Sequence, residues 1–284
     1  MSVVLRPRNA DIFSSHALQA VHVVNGDDAI AEIRHEGYGC ALIATEKTQG
    51  YRVARNARIP IRVGFENGWG KPFKTLWIRR MCTQTIFRTA GLDPSAPHEC
   101  EVVFKLGRFL LPHAEPSRDP ALLRPIVLDD IPVAQDRVAI QITDKWERLG
   151  APVHEVAELV ERVAAHHPIR LLGAEYERGY CERISDATQL SVETFESMRE
   201  WKQAIAASRA LVAPDSGAVH VAGMIGTKVV ACFGARNFAL QTARWQPWAA
   251  VHRLVKIEHG TWPVVAADAL GLLVSDSTPS VYKG

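Results

Sequence analysis

The sequence predicts two α/β domains with parallel strands, and three observations carry that prediction. The chain has 284 residues, about two domains at roughly 150 residues each. Short apolar runs alternate with stretches of 3.6-residue periodicity, the pattern of a parallel sheet covered by helices. That alternation breaks midway, where five prolines (Pro112, Pro116, Pro120, Pro125 and Pro132) fall within 21 residues, and then restarts. A composition of 47% hydrophobic and 23% charged residues is that of an ordinary globular chain and excludes a disordered, collagen-like or coiled-coil protein.

The elements follow in order. Val3-Val4-Leu5 reads as a short extended run. Asp11 precedes a helix-like stretch from Ile12 to Ala20, and Val21 to Val24 is extended again. Asp27 to Glu36 reads as a helix, with Ala29, Ile30 and Ile33 on one face and Gly37 as its stop. Cys40 to Thr45 is a buried strand, followed by a polar helix through Arg58 and a strand at Ile61 to Phe65. Asn67-Gly68-Trp69-Gly70 is a turn signal. The prolines exclude a continuous helix and place a linker, with the boundary near Asp130: an N-terminal domain at 1–130 and a C-terminal domain at 131–284. The last twenty or so residues are candidates to pack back on the first domain. In the second half, Val138 to Ile142 is a strand and Pro152 opens a helix to His167, its face formed by Val153, Val156, Ala157, Val160, Val163 and Ala164. Strands at Ile169–Gly173, Ala210–Ala213 and Lys228–Phe233 and a helix at Trp201–Ala207 complete two Rossmann-like domains facing a central cleft.

Charge and cysteines narrow the partners. Lys and Arg total 33 against 31 Asp and Glu, a formal net of +2, and no basic block stands out, so nucleic acid is not an expected partner. The tightest basic group is Arg79-Arg80, with Lys71 and Lys74 nearby. No apolar run is long enough to span a bilayer, and Arg6, Arg8 and Asp11 come too early for a signal peptide. Five scattered cysteines without a CxxC indicate neither zinc nor a disulfide framework. A cytoplasmic, reduced protein is expected.

The chemistry concentrates in residues 210–234, ALVAPDSGAVHVAGMIGTKVVACFG: a strand, a tight polar turn, a short helix and a strand. Asp215, Ser216 and Gly217 fall where a strand's carboxyl end meets a helix N-terminus, the ligand side of an open α/β sheet. Backbone N–H groups and the helix dipole there favour an anion such as a diphosphate. Ordinary capping by Asp215 or Ser216 explains the same residues equally well on spacing alone.

The whole segment resembles the C-terminal signature of glycosyltransferase family 9, the bacterial ADP-heptose:lipopolysaccharide heptosyltransferases. Asp215, Ser216, Gly217, His220, Ala222, Gly226, Thr227, Phe233 and Gly234 match it in register. The resemblance implies the GT-B architecture, with a sugar nucleotide held mainly by the second domain and its diphosphate bound by the Asp215-Ser216-Gly217 turn. It also implies that Lys145, after the strand VAIQI, meets phosphate; the alternative is a solvated loop lysine. Glu177, with Glu175 as runner-up, would accept from the nucleoside's ribose hydroxyls or else cap the helix that follows. His220 would contact the donor or orient the turn. Asp11 matches the family's catalytic base, although it is equally a helix N-cap. Arg6, Arg8 and Arg62 are acceptor-side candidates, the last within Arg62-Val63-Gly64-Phe65.

Departures from the family are visible too. Ala10 stands where the family has glycine, and the loop before Asp11 is one residue shorter. The first domain lacks about one strand-helix unit. Ala235-Arg236-Asn237-Phe238 replaces a Pro-Thr-Asp-Pro-like loop. Of the eleven histidines, the only close pair, His166-His167, points to different sides of a helix end, and no D-x-D occurs, so no metal site is expected. Trp245 and Trp248 line a pocket or pack the domain edge. The expected activity is inverting, metal-independent transfer of a sugar from an ADP-linked donor to a glycan or glycolipid hydroxyl, without a resident cofactor. Peripheral association with the inner face of the inner membrane is compatible with such an acceptor. The alternatives are a nucleotide-binding scaffold without turnover and a sugar-nucleotide epimerase of the same architecture.

Overall fold

The computed structural model describes residues 2–5, 7–23, 28–45, 47–88, 95 and 97–275. Contacts divide the chain into two units: residues 1–10 with 18–116, and residues 11–17 with 117–284. The division after Pro116 differs from the expected boundary near Asp130, because residues 117–130 pack with the second unit. So does the short segment 11–17, which the sequence places in the first.

The first unit contains β1 (Ser2–Leu5), β2 (Ala20–Val23), α1 (Asp28–His35), β3 (Cys40–Ile43), α2 (Thr48–Asn56), β4 (Ile61–Glu66), α3 (Pro72–Met81), β5 (Gln84–Phe87) and α4 (Glu99–Gly107). β1 pairs in parallel with β2, and β3, β4 and β5 form a second parallel sheet. One core cluster gathers Ile33, Ile43, Tyr51 and Ile78, and another gathers Val63, Phe65, Val102 and Leu106.

The second unit contains α5 (Pro120–Val127), β6 (Gln135–Gln141), α6 (Lys145–Arg148), α7 (Val153–Ala164), β7 (Ile169–Ala174), α8 (Arg178–Thr188), β8 (Val192–Phe195), α9 (Met198–Ala207), β9 (Ser208–Pro214), α10 (Gly217–Ile225), β10 (Lys228–Gly234), α11 (Phe238–Trp245), β11 (His252–Ile257) and α12 (Trp262–Ser275). Its six strands run parallel in the order β8-β7-β6-β9-β10-β11. In chain order that is 3-2-1-4-5-6, the dinucleotide-fold arrangement. Alternate residues face opposite sides of the sheet. Val138, Ile140, Val212 and Val230 join one core with α7, α8 and α12, while Ala139, Leu211, Val229 and Phe233 join the other with α9 and α10. Both faces are covered, as a parallel sheet requires.

Two expectations fail for identifiable reasons. The stretch from Ile12 to Ala20 is not a helix; a 3-10 turn spans Pro7–Ile12 and loops follow. Its polar groups bond elsewhere: Ser14 donates its N–H to the Ile126 carbonyl and its hydroxyl to the Pro125 carbonyl. Those are carbonyls of the last turn of α5, which lack partners within the helix. The proline-rich stretch does hold a helix, α5, because Pro120 occupies its first turn, where no N–H is needed. Asp119 caps it, accepting from the Ala121 N–H at 2.8 Å. The described part of the C-terminal stretch, α12, packs within the second unit against α7, β10 and β11. Trp262 of α12 stacks on Trp146, ring centroids 5.0 Å apart, and donates to the buried Glu155 carboxylate at 2.6 Å.

Candidate active site

Parallel strands aim all their carboxyl ends at one edge of the sheet, and in the second unit the strand order reverses between β6 and β9. A crevice at such a reversal is where open α/β sheets take ligands. Residues following β6 (Thr143, Asp144, Lys145), β7 (Glu175, Glu177) and β9 (Asp215, Ser216, Gly217) lie beyond that edge.

Two of the expected diphosphate residues meet directly. The Lys145 ammonium, from the β6 side, stands 3.7 Å from Asp215 Oδ2, from the β9 side. Next to Asp215, Ser216 takes the N-cap position of α10 in extended conformation, yet makes no side-chain cap bond. Its Oγ is buried and has no hydrogen-bond partner, a state that costs on the order of 1–3 kcal/mol. Capping by Ser216 therefore does not account for this residue. A Cβ built on Gly217 would meet nothing within 4 Å, so the protein's own packing does not demand glycine there. At the far end of α10, Gly226 ends the helix in the left-handed region, φ 88°.

Glu177 is half-buried and accepts from the Thr143 hydroxyl at 2.7 Å. Burial, opposed by the Thr143 bond and reinforced by the neighbouring Asp144 carboxyl, raises its pKa. Glu175 faces different partners. The Thr194 hydroxyl and then Arg178 hold its carboxyl below the ordinary range, with Arg178 in direct contact. Of the two candidates, Glu177 is the one joined to the β6 loop. His220, one turn into α10, packs edge-on to Trp245 with centroids 5.9 Å apart. Trp248, the other undecided tryptophan, is buried and donates to the Ser117 carbonyl at 2.6 Å. No group of His, Cys, Asp and Glu among the described residues is arranged to hold a metal.

Asp11 lies inside the 3-10 turn with non-helical φ and ψ of −95° and 17°. No helix starts there, so the N-cap alternative falls. Lys202 of α9 holds this segment in the second unit. Its ammonium donates to the backbone carbonyls of Asp11 and Ile12 at 2.7 and 3.0 Å. The side chain is 2% exposed, and burial lowers its pKa. Ser15 adds two bonds to Asp129 Oδ1, each 2.6 Å. The sequence reading missed Lys202, although one signal was available: the lysine shares the buried stripe of α9 with Ile205. Arg6 and the side chain of Arg8 lie outside the described residues. The Arg62 guanidinium is tied to the backbone, donating to the carbonyls of Met81 at 2.7 Å and Ile59 at 2.5 Å.

No protein-family model matches the chain, and no curated protein matches it in sequence. Solved structures do match in fold. A glycosyl transferase family 9 from Veillonella parvula DSM 2008 superposes with TM-score 0.71 at 14% identity, covering 97% of this chain and 88% of that one. The E. coli heptosyltransferase WaaC with ADP gives 0.70 at 16% identity, covering 97% and 89%. E. coli ADP-heptose lps heptosyltransferase II gives 0.67 at 13%, covering 96% and 89%. At these identities the likeness is one of fold. The chain has the GT-B fold class of Rossmann-like α/β units.

Proposed function

We propose that this chain is a glycosyltransferase that takes its sugar from a nucleoside-diphosphate donor. One observation carries the reading. At the strand-order reversal, a buried and unpartnered Ser216 hydroxyl lies at the N-terminus of α10, beside a lysine-aspartate pair bridging the two strand ends.

A departing nucleoside diphosphate gains negative charge in the transition state. The N-terminal amides of α10, the Ser216 hydroxyl and the Lys145 ammonium supply fixed positive potential for it, in place of a metal ion. Lys145 reaches the phosphates by leaving Asp215, and its 3.7 Å separation marks a loose pair. Gly217 leaves room for a phosphate close to the backbone. Glu177 accepts from the ribose hydroxyls, and His220 orients the turn or contacts the donor. Asp11 is the general base: it accepts the proton of an acceptor hydroxyl as that oxygen attacks the anomeric carbon, with inversion. Lys202 positions it by fixing its backbone.

The donor to test first is ADP-linked, since one of the fold neighbours was solved with ADP. A heptose is the first sugar and a lipopolysaccharide core the first acceptor. A second reading, nucleotide binding without turnover, draws on Ala10 in place of the family's glycine and on Arg62, whose guanidinium is committed to backbone carbonyls. Incubating the protein with ADP-heptose and a heptose-deficient core, in EDTA, separates the two. ADP release with a matching gain of acceptor mass supports transfer. ADP binding without either product supports the second reading, and no interaction with any ADP-, UDP-, GDP- or dTDP-sugar removes both.

A further inference from the structure

α3 carries large apolar side chains on its outward face as well as on its inward one. Thr75 and Ile78 face inward, with Thr75 only 6% exposed, while Phe73 is 89% and Leu76 70% exposed. Phe73, Leu76 and Arg80, at i, i+3 and i+7, make one outward stripe. Trp69, in the turn that leads into the helix, is 94% exposed. That turn is fastened to α3, for the Thr75 hydroxyl donates to the Gly68 carbonyl at 3.0 Å. Phe87 of β5 extends the surface: it is 60% exposed, and its ring would stand 3.0 Å from a Cβ placed on Gly68. Four large apolar side chains therefore project from one stretch of the first unit.

The charge around them has one sign. Residues 67–81 contain Lys71, Lys74, Arg79 and Arg80 and no Asp or Glu. Arg79 is taken by Glu66 at 2.6 Å, leaving three cations around the aromatic stripe. Exposed aromatics ringed by lysine and arginine are the pattern of a helix lying in the interface of an anionic bilayer. The rings enter the headgroup boundary, and each cation near an anionic surface strengthens binding about fivefold. A second copy of the chain fits poorly, because a self-complementary contact would bring the same cations face to face.

We propose that the surface formed by Trp69, Phe73, Leu76 and Phe87, with Lys71, Lys74 and Arg80, docks the first unit on an anionic lipid bilayer. The surface belongs to the first unit and the crevice residues to the second, and the proposal holds whether or not the chain transfers sugar. Co-sedimentation tests it, using phosphatidylcholine vesicles with and without about one-third phosphatidylglycerol. The protein pellets with the anionic vesicles in dilute salt and is released by high salt. Phe73→Asp combined with Leu76→Asp lowers the bound fraction tenfold or more, and Lys71→Gln combined with Lys74→Gln lowers it about twenty-fivefold. An unchanged melting temperature in each variant shows that the unit is folded. The proposal is overturned if the wild type stays in solution with anionic vesicles, or if the variants bind as the wild type does. It is also overturned if the wild type ignores vesicles but forms a dimer that Phe73→Asp dissolves.

Discussion

The two units solve the parallel-sheet problem differently. In the second, six strands are covered on both faces, and Ala139, Ile140, Leu211, Val212 and Val230 are fully buried. In the first, sheets of two and three strands are accompanied by a half-exposed ion pair, Glu66 with Arg79, a buried one, Arg88 with Glu99, and an aromatic surface turned outward. A fully covered doubly wound sheet gives strand ends whose positions hardly vary, which a diphosphate crevice needs. The segment carrying Asp11 follows the same logic: it is early in the chain, yet Lys202 and Asp129 anchor it to the second unit.

The largest effect is expected at Asp11. Asp11→Asn should lower turnover by about 10²–10⁴-fold. Melting temperature and nucleotide affinity should stay put, because the carboxylate is exposed and Lys202 bonds the backbone rather than the side chain. Near-wild-type turnover would take the base role from Asp11.

Stability should separate the units next. Glu155 is 1% exposed and accepts from the Trp262 indole and the Gly260 N–H. Glu155→Leu would strand the buried Trp262 indole, a cost on the order of 1–3 kcal/mol, while the exposed Gly260 N–H and His259 turn to water. Glu66→Leu in the first unit should cost within about 1 kcal/mol, since Arg79 is 60% exposed and can turn to water. Denaturant melts of both variants check the contrast, and equal losses would contradict it.

In the crevice, Lys145→Ala should weaken nucleoside-diphosphate binding by about 1.5–3 kcal/mol, the range for a charged hydrogen bond. It also leaves Asp215 uncompensated beside the phosphates. Ser216→Ala should cost less, since the α10 amides remain and an orphaned hydroxyl is relieved in the free protein. Calorimetric titration reads both, and unchanged affinity in the two variants would place the nucleotide elsewhere.

The smallest effect concerns Glu177. Its raised pKa means the folded state favours the protonated form. The wild type is therefore best stabilised below the ordinary carboxylate range and loses that contribution as pH rises through the raised value. Glu177→Gln should melt higher than wild type at neutral pH, with the gain vanishing in acid. A melting series across pH would show it, and a gain that persists in acid would assign the effect to packing.

Legibility followed the range of the interactions. The four inner strands of the second unit, β6, β7, β9 and β10, were readable because burial on both faces writes apolar runs such as VAIQI and ALVA, whereas the edge strands β8 and β11, less buried, were not. The Asp215-Ser216-Gly217 turn was readable because a strand end, a small polar pair and a helix start are adjacent in sequence. Residues 12–20 misled because their hydrogen-bond partners, Pro125, Ile126 and Asp129, are more than a hundred positions away. The burial of Lys202 could be read from the stripe it shares with Ile205, but its bonds to the Asp11 and Ile12 carbonyls, about 190 positions away, could not. α5 was missed because proline was read as a breaker rather than as a first-turn residue. α3 was missed because its apolar residues point both inward and outward, which blurs the periodicity.

The central claim is that the β6–β9 crevice of the second unit holds a nucleoside diphosphate without help from a metal. The melting temperature of the wild-type chain with and without ADP, in EDTA, tests this most directly. At a hundredfold excess over the dissociation constant, binding adds about 2.7 kcal/mol of stability, several degrees of shift. The shift is expected to appear in EDTA and to be reduced in Lys145→Ala. A shift that EDTA abolishes, or that Lys145→Ala leaves at full size, would contradict it.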